Sequence, residues 1–117
     1  MNPPLTLLAN SCADAAALAL DYADIPAAQI ISGNPRVGTA TLGELGECAI
    51  GVWEISPGVS TDIEAEEFFI VLSGQATVEF SDDRPALRLH AGSVGHLAAG
   101  TATIWTVSET LRKVYVA

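Results

Sequence analysis

From Cys48 to Ala117 the chain alternates short apolar runs with turn residues, and this rhythm limits its fold more than any other feature. Ala76, Val78 and Phe80 alternate with polar neighbours, the period of two expected of a strand with one buried face. Strands are expected at Cys48–Ile55, Glu67–Leu72, Gln75–Phe80, Ala86–His90, Ser93–Leu97, Ala102–Val107 and Leu111–Val116, with turns at Ser56-Pro57-Gly58, Ser73-Gly74, Ser81–Pro85, Gly92, Ala99-Gly100 and Ser108-Glu109. Many short strands at near-even spacing indicate an all-β sandwich or barrel. One run departs from alternation: Phe68 to Leu72 is apolar on both faces. Its outward face needs a cover, either the N-terminal segment or a second subunit.

The stretch before residue 47 reads as partly irregular. Ser11-Cys12-Ala13-Asp14 has the form of a capping box ahead of a short helix over Ala15–Leu20. Ile25–Ser32 reads as extended and Ser32-Gly33-Asn34-Pro35 as a turn. Residues 1–46 are thus expected to pack on a barrel formed by residues 47–117, or on a partner.

With 117 residues the chain is one domain, and 50% hydrophobic against 16% charged residues argues for a folded core. The net charge of -9 leaves no basic stripe to neutralise phosphates, which excludes nucleic acid and disfavours an anionic membrane. Cys12 and Cys48 form no disulfide framework or zinc motif and read as reduced thiols. No apolar run approaches bilayer length. Leu5–Ala9 has no basic leader before Arg36, and Leu7 to Cys12 only distantly resembles a lipoprotein cleavage site, so a cytoplasmic protein is expected.

Over Gly51–Val116 the sequence resembles the cupin superfamily, in particular the small single-domain branch related to ureidoglycine aminohydrolase. The first cupin motif ends in a glutamate, six residues and a glycine, as do Glu67 and Gly74. Gly92, Ala98 and Gly100 follow the second motif, with alanine in place of its proline and Ser93 in place of an aspartate. Trp53-Glu54, Trp105 and Arg112-Lys113-x-Tyr115 match features of the branch. The resemblance implies a single-domain jelly-roll barrel, a double-stranded β-helix.

The departures bear on function. Where metal-binding cupins carry two histidines before the glutamate, this chain has Thr61 and Ile63, or Ser60 and Asp62; where the second motif has its histidine, it has Thr103. Borderline divalent metals favour imidazole ligands, and one carboxylate gives too few bonds. No metal and no cofactor is therefore expected; a substitute set would have to come from Asp62, Glu64, Glu67 and His96.

The resemblance also sets strand faces. Thr103 should point into the barrel, with Trp105 and Val107 beside it by alternation, and Glu67 should share the interior with Phe69 and Val71. A carboxylate so placed must be protonated or meet a cation or donor, for which Lys113 and Tyr115 are the candidates. Ligand-binding residues are then Trp53, Phe69, Thr103 and Trp105, and acid/base candidates Glu67, Lys113, Tyr115 and His96. Plainer roles stand beside these. Glu67 could be a rim salt bridge, the tryptophans and Tyr115 core, Lys113 a solvated charge, His90 an exposed strand end, and one of Glu64 and Glu66 solvated. Gly92-Ser93-Val94-Gly95-His96 lacks a nucleophile elbow, and no glycine loop cradles a phosphate. The leading expectation is a metal-independent cupin that binds a small molecule. The alternatives are a metal-free acid/base isomerase or hydrolase, and a structural or regulatory homodimer with a degenerate site.

Overall fold

The computed structural model describes residues 7–117. Nine strands make one curled, antiparallel arrangement: β1 (Asp21–Asp24), β2 (Ile30–Gly33), β3 (Arg36–Leu45), β4 (Cys48–Ile55), β5 (Gly58–Ile63), β6 (Glu67–Phe80), β7 (Leu87–Leu89), β8 (Val94–Leu97) and β9 (Ala102–Val116). The strand order is β1-β3-β4-β9-β5-β2, and β6 pairs with β7, β8 and β9. The chain is a single-domain all-β barrel. Among the described residues no helix is long and apolar enough to cross a membrane.

Two long strands organise the barrel. On one side β9 pairs first with β5, over Ala102–Val107, and then with β4, over Leu111–Val116. On its other side it runs along β6 for nearly its full length. Inward side chains of β4, β6 and β9, with Leu97 of β8, form the core: Ile55, Phe69, Val71, Val78, Leu97, Trp105, Val107 and Leu111 are all buried.

The expected turn at Ser73-Gly74 is a bulge inside the continuous strand β6. The β6–β9 register shifts between Val71 and Ala76, and Gly74 adopts φ +93°. Before the bulge Glu67, Phe69 and Val71 face inward; after it Ala76 and Val78 do. The inward set therefore changes from odd to even numbers, the consequence of one extra residue in a ladder. Likewise Ser108-Glu109 does not end a strand: on one side β9 changes partner there from β5 to β4, while on the other Gln75↔Glu109 keeps it paired with β6. Isolated turn residues are overruled when a long partner offers continuous pairing.

The N-terminal stretch is more ordered than its composition suggests. Residues 15–17 form a turn, and the expected helix over Ala15–Leu20 does not form. A 3-10 turn at Ala27–Gln29 interrupts the extended reading of Ile25–Ser32. The ten-residue β3, with Gly38 and Leu42 buried, pairs along β4 from Val37↔Ile55 to Leu45↔Cys48. The sheet thus begins upstream of residue 47. Strand β5 carries no run of apolar residues in sequence: Gly58–Ile63 is short, with polar Ser60, Thr61 and Asp62 at its centre, and these line a cavity instead of packed core. Leu5 and Thr6 of the apolar run near the start lie outside the described residues.

Candidate functional site

The motif residues that seemed scattered in sequence meet across strands. Trp53 lies opposite Lys113 and Glu54 opposite Arg112 in the β4–β9 ladder. Because side chains alternate, the first pair faces into the barrel and the second faces out. On the outer side Arg112 Nε donates to Glu54 Oε1 at 3.0 Å, and its Nη1 donates to the carbonyls of Ala15, Ala16 and Leu18 at 3.0, 3.2 and 2.9 Å. Tyr22 Oη donates to Glu54 Oε2 at 2.5 Å. This network clamps the N-terminal turn to the barrel wall.

On the inner side lies a cavity of about 390 Å³, lined among others by Trp53, Trp105, Lys113, Glu67, Asp62 and Glu64. The N-terminal segment supplies part of its wall through Asp24, Ile25, Pro26 and Gln29. Lys113 Nζ donates to Glu67 Oε2 at 2.6 Å, with side-chain exposures of 4% and 17%. The ammonium sits over the rings of Trp53, Phe69 and Trp105, at 4.4, 4.7 and 5.1 Å from their centroids. The two tryptophan rings are 5.4 Å apart and tilted by 56°. Lys113 is the cation that the buried carboxylate of Glu67 requires. The reading of Lys113 as a solvated charge does not hold.

Glu64 is the site residue that sequence reasoning undervalued. Its Oε2 accepts the Thr103 hydroxyl at 2.5 Å and the Trp105 indole N–H at 3.0 Å. The signal available was the pair of inward donors at 103 and 105, two residues apart on one strand face. They require an acceptor from a neighbouring segment. Trp105 is thereby held in one orientation with its ring against Trp53.

Four expected site residues are placed differently. His96 pairs with Phe68 across β8–β6, whereas Glu67 pairs with the buried Leu97, so His96 lies on the outer face. There it stacks on Phe68 at 4.2 Å between ring centroids and hydrogen-bonds Glu66 through Nε2. That bond and the amide N–H of Ala99 hold the Glu66 carboxyl below its usual range. Tyr115 faces inward at the far end of β9, its ring against Gly51, where a Cβ would come within 2.5 Å of the phenol oxygen. Neither His96 nor Tyr115 shares a point with Glu67. Phe69 is fully buried beneath Lys113, and Thr103 is buried behind Glu64; neither lines the cavity. Trp53, Trp105, Glu67 and Lys113 are brought together.

The donors do not fit a divalent metal centre. One Glu67 oxygen already meets an ammonium, Glu64 accepts two neutral donors, and the only imidazole of the substitute set points outward. Among the described residues no three His, Cys, Asp or Glu side chains are grouped to hold an ion.

Asp62, which lines the cavity, is pushed above the usual carboxylate range, chiefly by desolvation and next by the charge of Glu64. A carboxyl raised in the folded state destabilises the fold once pH exceeds its unfolded value. The penalty grows as pH rises to the folded value and then stays constant. Asp62→Asn, which can still accept the Ile63 N–H as Asp62 Oδ1 does at 2.8 Å, is expected to melt no lower than the parent at pH 7. Any advantage should vanish in melting curves taken below the ordinary carboxylate range.

A family model described as EutQ-like cupin domain matches residues 42–115. No curated protein matches the chain by sequence. Among solved structures, a protein of unknown function from Rhizobium leguminosarum is 23% identical with a TM-score of 0.61, over 68% of this chain and 78% of that one. The EutQ protein of Clostridium difficile is 20% identical with a TM-score of 0.59, over 70% of this chain and 67% of that one. A protein of unknown function from Pseudomonas syringae is 22% identical with a TM-score of 0.76, over 91% of this chain and 46% of that one. At these identities the likeness is one of fold.

Proposed function

The chain belongs to the EutQ-like cupin domain family, and on that premise we propose that its barrel binds a small organic molecule beneath Trp53 and Trp105 without a histidine-held metal. The observation that carries this reading is the buried Lys113–Glu67 pair at a cavity of about 390 Å³ walled by two tryptophans. Ligand sites are concavities in which aromatic walls and fixed polar groups together orient the guest. A relation to ureidoglycine aminohydrolase belongs to the same proposal and draws support from Trp53-Glu54 and Arg112-Lys113 meeting across one ladder. The two exposed, unbonded cysteines support a cytoplasmic setting.

The test is a thermal-shift screen with small carboxylates, ureides and sugars. A bound compound at about 100 times its Kd should stabilise the fold by about 2.7 kcal/mol. The stabilisation should be lost in Trp105→Phe, which keeps an aromatic ring but removes the N–H donated to Glu64. If every compound that stabilises the parent stabilises this variant and Trp53→Ala equally, the cavity is not the binding site.

A second reading, metal-free acid/base catalysis, draws on the same geometry, since Glu67 and Lys113 share a hydrogen bond at the cavity wall. Turnover of a compound found to bind would favour it over simple binding.

We also infer a homodimer formed through the outer face of β6, β8 and β9. Two cross-strand rows, Val94-Ile70-Val114-Val52 and His96-Phe68-Val116-Ile50, run across this face. The clamped N-terminal turn lies beside its β4 end, where Val52 is fully buried. At the other end Phe68, Ile70 and Val94 are 56%, 49% and 72% exposed. These contiguous apolar side chains suit the centre of an interface of about 800 Å² per partner. A second copy suits it because the rows are apolar apart from His96, which holds the carboxylate of Glu66 at their edge. Light scattering should give a dimer, and Phe68→Glu a monomer; a monomeric parent protein overturns this.

A further inference from the structure

The chain contains one lysine, Lys113, and it is only 3% exposed. Lysine is almost never buried so deeply unless it is paired, and here the partner is Glu67. An ammonium carries three N–H donors. Glu67 takes one, and among the described residues no other hydrogen-bond acceptor meets Nζ. Three aromatic faces surround the charge but supply no oxygen. The remaining donors belong to a side chain that lines the cavity.

We propose that Lys113 holds the acceptor oxygen of the cavity's ligand, an uncharged carbonyl or amide compound, and that it serves beside Glu67 as the barrel's resident cation. The inference rests on the cavity being a ligand site. Two features select the ligand's charge. Asp62, Glu64 and Glu67 already outnumber the single ammonium, so an anion would add to uncompensated negative charge. A small cation is refused because Lys113 itself fills the space between the Trp53, Trp105 and Phe69 rings, the position an ammonium guest would take. A neutral carbonyl satisfies both conditions, and any N–H it carries can donate to Asp62 or Glu64. As an ammonium, Lys113 has no lone pair; it donates to the carbonyl and does not attack it.

A single lysine makes the test direct. Protein labelled with ¹⁵N-lysine should show one side-chain ammonium resonance. It is titrated with acetamide, acetate and ethylammonium chloride while tryptophan fluorescence is followed in parallel. Acetamide should move the resonance saturably and at lower concentration than acetate, and ethylammonium should leave it in place. The double variant Lys113→Met/Glu67→Gln, which removes both charges together, should bind acetamide at least about tenfold more weakly. If fluorescence saturates while the resonance stays fixed, the cavity binds but Lys113 is not its anchor, and this inference fails alone. Tighter binding of acetate or ethylammonium than of acetamide overturns the ligand class. Silence of both signals with all three probes overturns the inference, and the compound screen then decides separately whether the cavity is a site.

Discussion

Lys113→Met alone should destabilise the protein by about 3–5 kcal/mol, because it strands the carboxylate of Glu67 against apolar walls. Glu67 and Lys113 are 17% and 4% exposed at the side chain, so water replaces little of the lost partner. The second change, Glu67→Gln, should restore most of the loss. Replacing both members of a buried pair by neutral groups of similar volume is often close to neutral, whereas removing one member is not. Denaturant unfolding of the parent, both single variants and the double variant completes the cycle. A coupling near zero would mean that the two side chains do not form a buried pair and would remove the centre of the proposed site. The experiment also separates charge from packing, since methionine keeps most of the stem that lies against Trp53, Phe69 and Trp105.

Gly74→Ala should cost at least about 3 kcal/mol, a drop of roughly 10 °C or more in Tm for a chain of this size. Two costs coincide at this position. The backbone has φ +93°, which residues with a Cβ rarely adopt. A Cβ there would also lie 2.0 Å from the Thr110 carbonyl oxygen and 2.5 Å from Leu111 Cα, and neither can yield like a flexible side chain. Gly74→Asn is expected to be no better. Asparagine tolerates positive φ more readily than alanine does, but its Cβ meets the same backbone. The damage should extend to the site, because the atoms that must move lie just before Lys113 on β9. Loss of stability in Gly74→Ala should therefore come with altered tryptophan fluorescence from Trp53 and Trp105. A stable variant with parental fluorescence would show that the bulge is not what fixes the β6–β9 register.

The residues that could be read in advance were those whose neighbours lie on the same strand. The cupin resemblance implied that Thr103 points inward, alternation carried Trp105 and Val107 with it, and all three are buried. Glu67, Phe69 and Val71 share a face for the same reason. The need of a buried carboxylate for a cation follows from its desolvation, and Lys113 meets it.

Tertiary structure decided what alternation leaves open. Ser73-Gly74 can be a hairpin turn or a bulge, and only the presence of β9 along both halves of β6 makes it a bulge. His96 could face either way from sequence; its pairing with Phe68, one residue out of step with Glu67, puts it outside. Tyr115 shares the inward parity of Lys113, yet strand length carries it away from the cavity and onto Gly51. Glu64 precedes β6 in a connection with no periodicity, so nothing local announced that it would receive Thr103 and Trp105. Local periodicity assigns a side chain to a face. Which groups meet across that face depends on register and strand length, and these are settled only when distant strands pair.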